Sequence, residues 1–238
     1  RKMSRLMELA ALGARETMLA QSINSHNLAN ASTPGFRKDL MTYTGTTRIE
    51  GVQSGVDLVA GAVQGTGNTL DVAISGEGYF AIQAPEGGEA YSRRGDFRVD
   101  AQGQLKDGVG NPILGDGGPI ALPPYSELMV GADGTISIRP LGEQSNALQV
   151  VDRLRLVNVG EQALEKGLDG YLRLPQGQTL DPDGAVKVVS GALESSNVNP
   201  VESMVRMIDL ARKFESHVKM MSTDEKNRTS LNQIMRFS

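Results

Sequence analysis

Small, apolar and amide-bearing residues recur near the start of the chain at alternating spacings of four and three: Leu6, Ala10, Gly13, Thr17, Ala20, Asn24, Asn27 and Ala31. This is a seven-residue repeat, the period of a helix seam that meets another helix. Leu9, Leu12, Leu19 and Ile23 widen the seam into a broad apolar face, so residues 4–31 are predicted as one helix. The small and amide-bearing seam suits close backbone approach and fixed register. Thr33-Pro34-Gly35-Phe36 then stops the helix. Proline disfavours helical geometry at the residue before it, and glycine supplies a free turn.

Residues 37–68 lack a helical period, and Thr, Gly, Val and Ser dominate them. An extended connector with one or two strands is expected. From Leu70 the alternation becomes that of strands: Leu70, Val72 and Ile74 against Asp71 and Ala73, then Tyr79–Ile82 beyond the Gly76/Gly78 turn. Further short strands are predicted at 97–99, 113–114, 128–130, 135–138, 154–159, 171–174 and 186–189. Asp-Gly pairs at 107–108, 133–134, 169–170 and 183–184 separate several of them, and both residue types tolerate positive φ. This pattern reads as a barrel-like or sandwich-like β unit.

A second long helix opens at Asn199-Pro200-Val201-Glu202, with a capping residue, proline at the first helical position and a glutamate able to reach back. Val201, Val205, Ile208, Ala211, Phe214, Val218 and Met221 mark one apolar face. Leu231, Ile234, Met235 and Phe237 restore it at the end. Met204, Met207, Met220 and Met221 fit helix-facing packing. The fold class is therefore α+β. Terminal helices (1–36 and 191–238) pair as a coiled-coil-like assembly domain, an extended connector covers 37–69, and a mainly-β domain covers 70–190. Neither helix can bury its face on a β unit complete in itself, so the pair is expected to pack against other copies.

Charge reinforces this division. The net charge is −4, which argues against nucleic acid as a partner. Residues 1–40 carry +3 and residues 191–238 carry +1, leaving the middle acidic. With no cysteine, disulfides, thiolate metal sites and thiol nucleophiles are excluded. No run of about eighteen apolar residues exists, so no membrane span is expected. Basic Arg1, Lys2 and Arg5 precede a stretch interrupted by Glu8, Arg15 and Glu16, so a secretory signal is not expected.

Catalytic chemistry is thin. His26 and His217 lie one on each helix and would approach one another if the helices paired suitably, but further metal ligands at useful spacing are lacking. The glycine runs at 108–111 and 115–118 fit β turns, not phosphate loops. Glu86/Glu89 and Asp181/Asp183 fall in turn contexts. No cofactor is expected. Asn24, Asn27 and Asn30 recur every three residues. Such a run is costly in a helix unless the amides find partners, in the same chain or in a neighbouring subunit.

Three segments carry a family resemblance. Asn27-Leu28-Ala29-Asn30-Ala31-Ser32-Thr33-Pro34-Gly35-Phe36 resembles the N-terminal signature of bacterial flagellar rod and hook proteins. The second is Leu70-Asp71-Val72-Ala73-Ile74-Ser75-Gly76-Glu77-Gly78-Tyr79-Phe80 with Tyr91-Ser92-Arg93-Arg94-Gly95-Asp96-Phe97, and the third is Gly191-Ala192-Leu193-Glu194-Ser195-Ser196-Asn197-Val198-Asn199-Pro200-Val201-Glu202. They keep the family's order and span nearly the whole chain. Ser92-Arg93-Arg94-Gly95 departs from the Thr-Arg-Asn/Asp-Gly turn common in relatives, while keeping its glycine.

Among family members the proximal-rod type is most similar and the distal-rod type next; hook proteins are longer. The resemblance implies a non-enzymatic axial subunit, exported by the flagellar type III apparatus and assembled in the periplasm with its own copies and other rod subunits to transmit torque. Its terminal helices would form an inner tube with the β unit outside. The assembly interface is assigned to Leu6, Gly13, Thr17, Ala20, Asn24, Asn27, Leu28, Asn30, Val201, Val205, Ile208, Ala211, Phe214 and Val218, with Thr33–Phe36 as the exit turn. Gly35→Val is expected to impair assembly more than it destabilises the β unit. The reading from a different class is a hydrolase or carbohydrate-binding module on the β unit, which requires a concave site with facing carboxylates or exposed aromatics.

Overall fold

A computed structural model describes residues 5–43, 52–142, 147–160, 164–167 and 169–236; for 42–43, 52–54, 176 and 231–236 it describes the backbone alone. The chain divides into two compact units, one of residues 1–31, 38–57 and 198–238, the other of 32–37 and 58–197. The sequence pattern draws the lines elsewhere: segments 32–37, 58–69 and 191–197 fall in the β-rich unit, and 38–57 falls with the helices.

The helical unit holds α1 (Arg5–Ala29), α2 (Pro200–Arg236) and a hairpin of β1 (Asp39–Tyr43) and β2 (Val52–Val56). Asn199 Oδ1 accepts from the amides of Val201 (3.0 Å) and Glu202 (3.2 Å), so the predicted N-cap forms. The apolar positions Leu231, Ile234 and Met235 have undescribed side chains, and Phe237, like Arg1 and Lys2, lies outside the described residues.

In the β-rich unit, β3 (Val63–Gly65) pairs with β18 (Ala192–Glu194), and β4 (Val72–Ser75) with β17 (Lys187–Ser190). A five-stranded antiparallel sheet runs β14 (Leu156–Val157), β5 (Tyr79–Gln83), β6 (Glu89–Ser92), β16 (Leu172–Arg173), β15 (Glu165–Lys166). β11 (Tyr125–Val130), β12 (Thr135–Pro140) and β13 (Gln149–Arg153) form a meander. Short pairs join β7 (Arg98–Val99) to β8 (Leu105–Lys106) and β9 (Leu114–Gly115) to β10 (Gly118–Pro119).

Interior strand β5 buries Tyr79, Phe80, Ala81 and Ile82 in succession, a continuous run rather than an alternation because both faces are covered. Val72, Ile74, Phe97, Leu105, Ile113, Ile120, Ile136 and Ile138 complete a contiguous core. Phe80 and Phe97 meet edge to face at 5.1 Å. Burying one such side chain contributes about 1.5–3 kcal/mol, so this unit has a sufficient core of its own.

The helical unit differs. Residues buried on α1 are Ala10, Ala14, Thr17, Asn24 and Asn27, small or polar side chains that contribute little by apolar transfer. The fold class is mixed α+β, with one long helix near each end of the chain and a mostly β central region.

Candidate assembly surface

The helices meet along the small-residue seam. Asn24 Nδ2 donates to Ser203 O at 2.7 Å, and Gly13 lies against the His217 ring. Contacts that move back along α1 thus move forward along α2, so the two helices run antiparallel. On α2 the less exposed positions are Ser203, Met207, Leu210, Ala211, Phe214, His217, Met221, Asp224 and Arg228; apart from Ala211 they are again spaced four and three. Thr17 Oγ1 turns back to Gly13 O at 2.7 Å. The seam therefore brings Gly13, Thr17 and Asn24 to α2, with Ala20 half-buried beside them.

Gly13 has a specific reason to be glycine. A Cβ there would lie 2.8 Å from His217 Nδ1 and 2.9 Å from Nε2. His217 Nδ1 is buried with no hydrogen-bond partner, so the ring acts as a packing block seated in the glycine notch.

The antiparallel arrangement separates the two histidines. His26, near the end of α1, places Nδ1 2.6 Å from Asp39 Oδ2, while His217 faces Gly13. The approach expected from sequence does not occur, because in this register Asn24 lies level with Ser203 and His217 lies level with Gly13, thirteen residues back along α1 from His26. Asn27 holds the same strand: its Nδ2 donates to Asp39 O (2.9 Å) and its Oδ1 accepts from Asp39 N (2.8 Å). Asn30 Nδ2 donates to His26 O at 2.9 Å, and Leu28 is half-buried. The amides of Asn24, Asn27 and Asn30 thus all have partners inside the chain. Asn27→Ala removes two hydrogen bonds to Asp39, about 2 kcal/mol of local stability. Hydrogen exchange at the Asp39 amide is expected to rise about thirtyfold; an unchanged rate would reduce Asn27 to a surface amide.

The large apolar residues face away from this seam. Leu9 is 67% exposed, Met18 58%, Val201 68%, Val205 and Ile208 55% each. Leu6, Leu12, Leu19, Met204, Val218 and Met220 are also exposed. Ala211 and Phe214 are half-buried. The α2 face picked out by its valines is thus not the face turned to α1. The latter carries Ser203, His217 and Asp224, residues that an apolar pattern passes over.

The exit turn belongs to the β-rich unit. Gly35 adopts φ +65°, and its N donates to Glu194 O at 2.7 Å. Thr33 O accepts from Phe36 N at 3.3 Å, Pro34 is half-buried, and Phe36 is buried with Lys166 Nζ 3.8 Å from its ring centroid. Beyond it Arg37 pairs with buried Glu194, whose other oxygen accepts from Arg93 Nε at 2.7 Å. Burial pulls the Arg93 guanidinium below the usual arginine range, and the Glu194 carboxylate opposes that shift. Sequence reasoning missed Glu194 and both arginines as a cluster, since 157 positions separate Arg37 from Glu194.

Two of the carboxylates weighed for catalysis have structural partners, and Glu86 and Asp181 are exposed. Glu89 accepts from Tyr91 Oη at 2.9 Å and pairs with Arg155 at 3.3 Å, and Asp183 Oδ1 accepts from Ala185 N in a turn. A cleft of about 120 Å³ in the helical unit is lined by Ala20, Ile23, Asn24, Lys38, Asp39 and Glu202, among others. It is smaller than the roughly 300–1,000 Å³ of small-molecule sites. Among the described residues, no helix is long and apolar enough to cross a membrane.

Residues 189–234 match the family model for the flagellar basal body rod FlgEFG protein C-terminal region, and residues 73–138 match that for the flagellar hook protein FlgE/F/G D1 domain. The chain is 37% identical to flagellar basal-body rod protein FlgF of Salmonella typhimurium, over 96% of this chain and 97% of that one. It is 38% identical to FlgF of Escherichia coli K12 over the same shares. With the rod protein FlgG of Buchnera aphidicola subsp. Schizaphis graminum it shares 33% identity over 90% of this chain and 95% of the relative. The chain therefore belongs to the flagellar basal-body rod protein family, as a FlgF-like member.

Proposed function

We propose that this chain is a structural subunit of the proximal rod of the flagellar basal body, working by packing and not by catalysis. The observation that carries the reading is the pair of exposed apolar helix faces, Leu9–Leu12–Leu19 on α1 and Val201–Val205–Ile208–Val218 on α2. Burying each such side chain contributes about 1.5–3 kcal/mol, and a second copy or a neighbouring rod subunit supplies the cover. Contacts of this head-to-tail kind, when they do not close, build a helical tube. In that tube the coiled-coil-like helix pair forms the inner wall, and the barrel- or sandwich-like β unit forms the outer layer. Export through the type III apparatus delivers the chain to the periplasm, and the finished rod transmits torque.

Leu9→Glu combined with Val205→Glu tests the packing. Both positions are solvated in the monomer, so its circular dichroism and melting are expected to match the wild type. At an interface each uncompensated charge costs several kcal/mol, so the variant is expected to be absent from purified basal bodies and its cells non-motile. Normal incorporation would refute the assignment of these faces.

A further inference from the structure

The chain passes between its two units four times, at 31/32, 37/38, 57/58 and 197/198. On the β-rich side, the segments leading to all four passages converge on one residue. Glu194 is 1% exposed. Its Oε1 accepts from Arg37 Nη1 and from Gly61 N (2.9 Å), its Oε2 from Arg93 Nε, and its carbonyl from Gly35 N. Arg93 continues to the carbonyls of Gly78 and Gly76, both at 2.8 Å, in the turn that leads into β5. Around this centre the segments are also tied directly. Ser195 N donates to Ala62 O at 2.8 Å, Asn197 Nδ2 to Val59 O at 2.9 Å, Asn197 N to Phe36 O at 3.3 Å, and Lys166 Nζ to Arg37 O at 2.7 Å. Gly61 is close enough to the Ser195 carbonyl that a Cβ would overlap it.

A buried ion cluster is weak evidence for stability, because desolvation offsets most of the attraction. One carboxylate facing two guanidiniums is poorer still as a stabiliser. What the cluster does provide is geometry: one side chain fixes segments 32–37, 58–62 and 194–197 to each other and, through Arg93, to the core strands.

We infer that Glu194 is the keystone of a clamp that holds the three connecting segments of the β-rich unit in one fixed arrangement. Resting on the rod reading, the clamp is the point where load enters the β core as a rigid bundle instead of through separate loops.

Hydrogen exchange on the isolated full chain tests the clamp. Glu194→Gln is expected to speed exchange about tenfold or more at the amides of Gly35, Gly61, Ser195 and Asn197, while Ala81 and Ile82 in the core change by less than about twofold. Arg37→Met is the gentler variant, since it leaves a one-to-one Arg93–Glu194 pair. It is expected to speed exchange severalfold at Gly35 and Asn197 alone. Unchanged rates at these amides in both variants, or equal acceleration at Ala81 and Ile82, would overturn the clamp. Failure of the rod reading is seen separately, as absence of the wild-type chain from purified basal bodies.

Discussion

Gly35→Val is expected to destabilise the β-rich unit by roughly 2–5 kcal/mol, combining backbone strain with overlap. The residue sits at φ +65°, a conformation that costs a β-branched side chain roughly 1–2 kcal/mol or more. A Cβ would also press into the Arg93 carbonyl and lie 2.5 Å from Arg94 N. Backbone there has little freedom to retreat, because Arg93 is fixed to Glu194, Gly76 and Gly78. For a unit of this size the melting midpoint should fall by roughly 5–15 °C. Gly87→Val is the matched control. It has φ +84° with open space around the Cβ position, so it carries the strain without the overlap. This expected result differs from the expectation drawn from sequence, in which Gly35 matters more for assembly than for the β unit. Its neighbours are residues of that unit, so the fold is affected first. Equal melting of Gly35→Val and wild type would refute the packing.

Gly13→Leu is expected to separate α1 from α2. In an isolated helix, replacing glycine by a good helix former gains about 1 kcal/mol, so propensity alone predicts a more stable protein. Here the new side chain enters space held by the His217 ring, and overpacking costs roughly 1–3 kcal/mol or more. The sign therefore reverses. Helical ellipticity should fall and its thermal loss move to lower temperature, while the transition of the β-rich unit stays in place. Adding His217→Ala removes the block and should restore most of the signal. That rescue identifies a steric cause, which a general loss of helix content would not show. A stabilised Gly13→Leu single variant would contradict the antiparallel register.

Legibility in the sequence follows how local each interaction is. The α1 seam is readable because Gly13, Thr17, Asn24 and Asn27 announce close approach through size and spacing. Core strands β4, β5 and β12 are readable because their apolar residues are bounded by glycine turns. The α2 seam is only partly legible: ranking by hydrophobicity selects Phe214 and Met221, which lie on it, together with Val201, Val205 and Ile208, which stay exposed. Ser203 acts through its backbone carbonyl, which any residue type possesses. Strand β13 is hidden for another reason: Gln149 and Val150 are exposed, so burial imposes no alternation. Glu194 looks like one solvated charge between Leu193 and Ser195 until Arg37 and Arg93, remote in sequence, are brought to it.

The central claim is that the outward faces of α1 and α2 are subunit contacts. An image reconstruction of purified basal bodies, at a resolution that traces side chains, tests it most directly. Copies of this chain are expected in the rod, with Leu9, Leu12, Val201, Val205 and Ile208 buried against neighbouring subunits and Asn24 still bonded to Ser203 of its own chain. Finding those five side chains solvated in the assembled rod, with the subunit contacts made elsewhere, would contradict it.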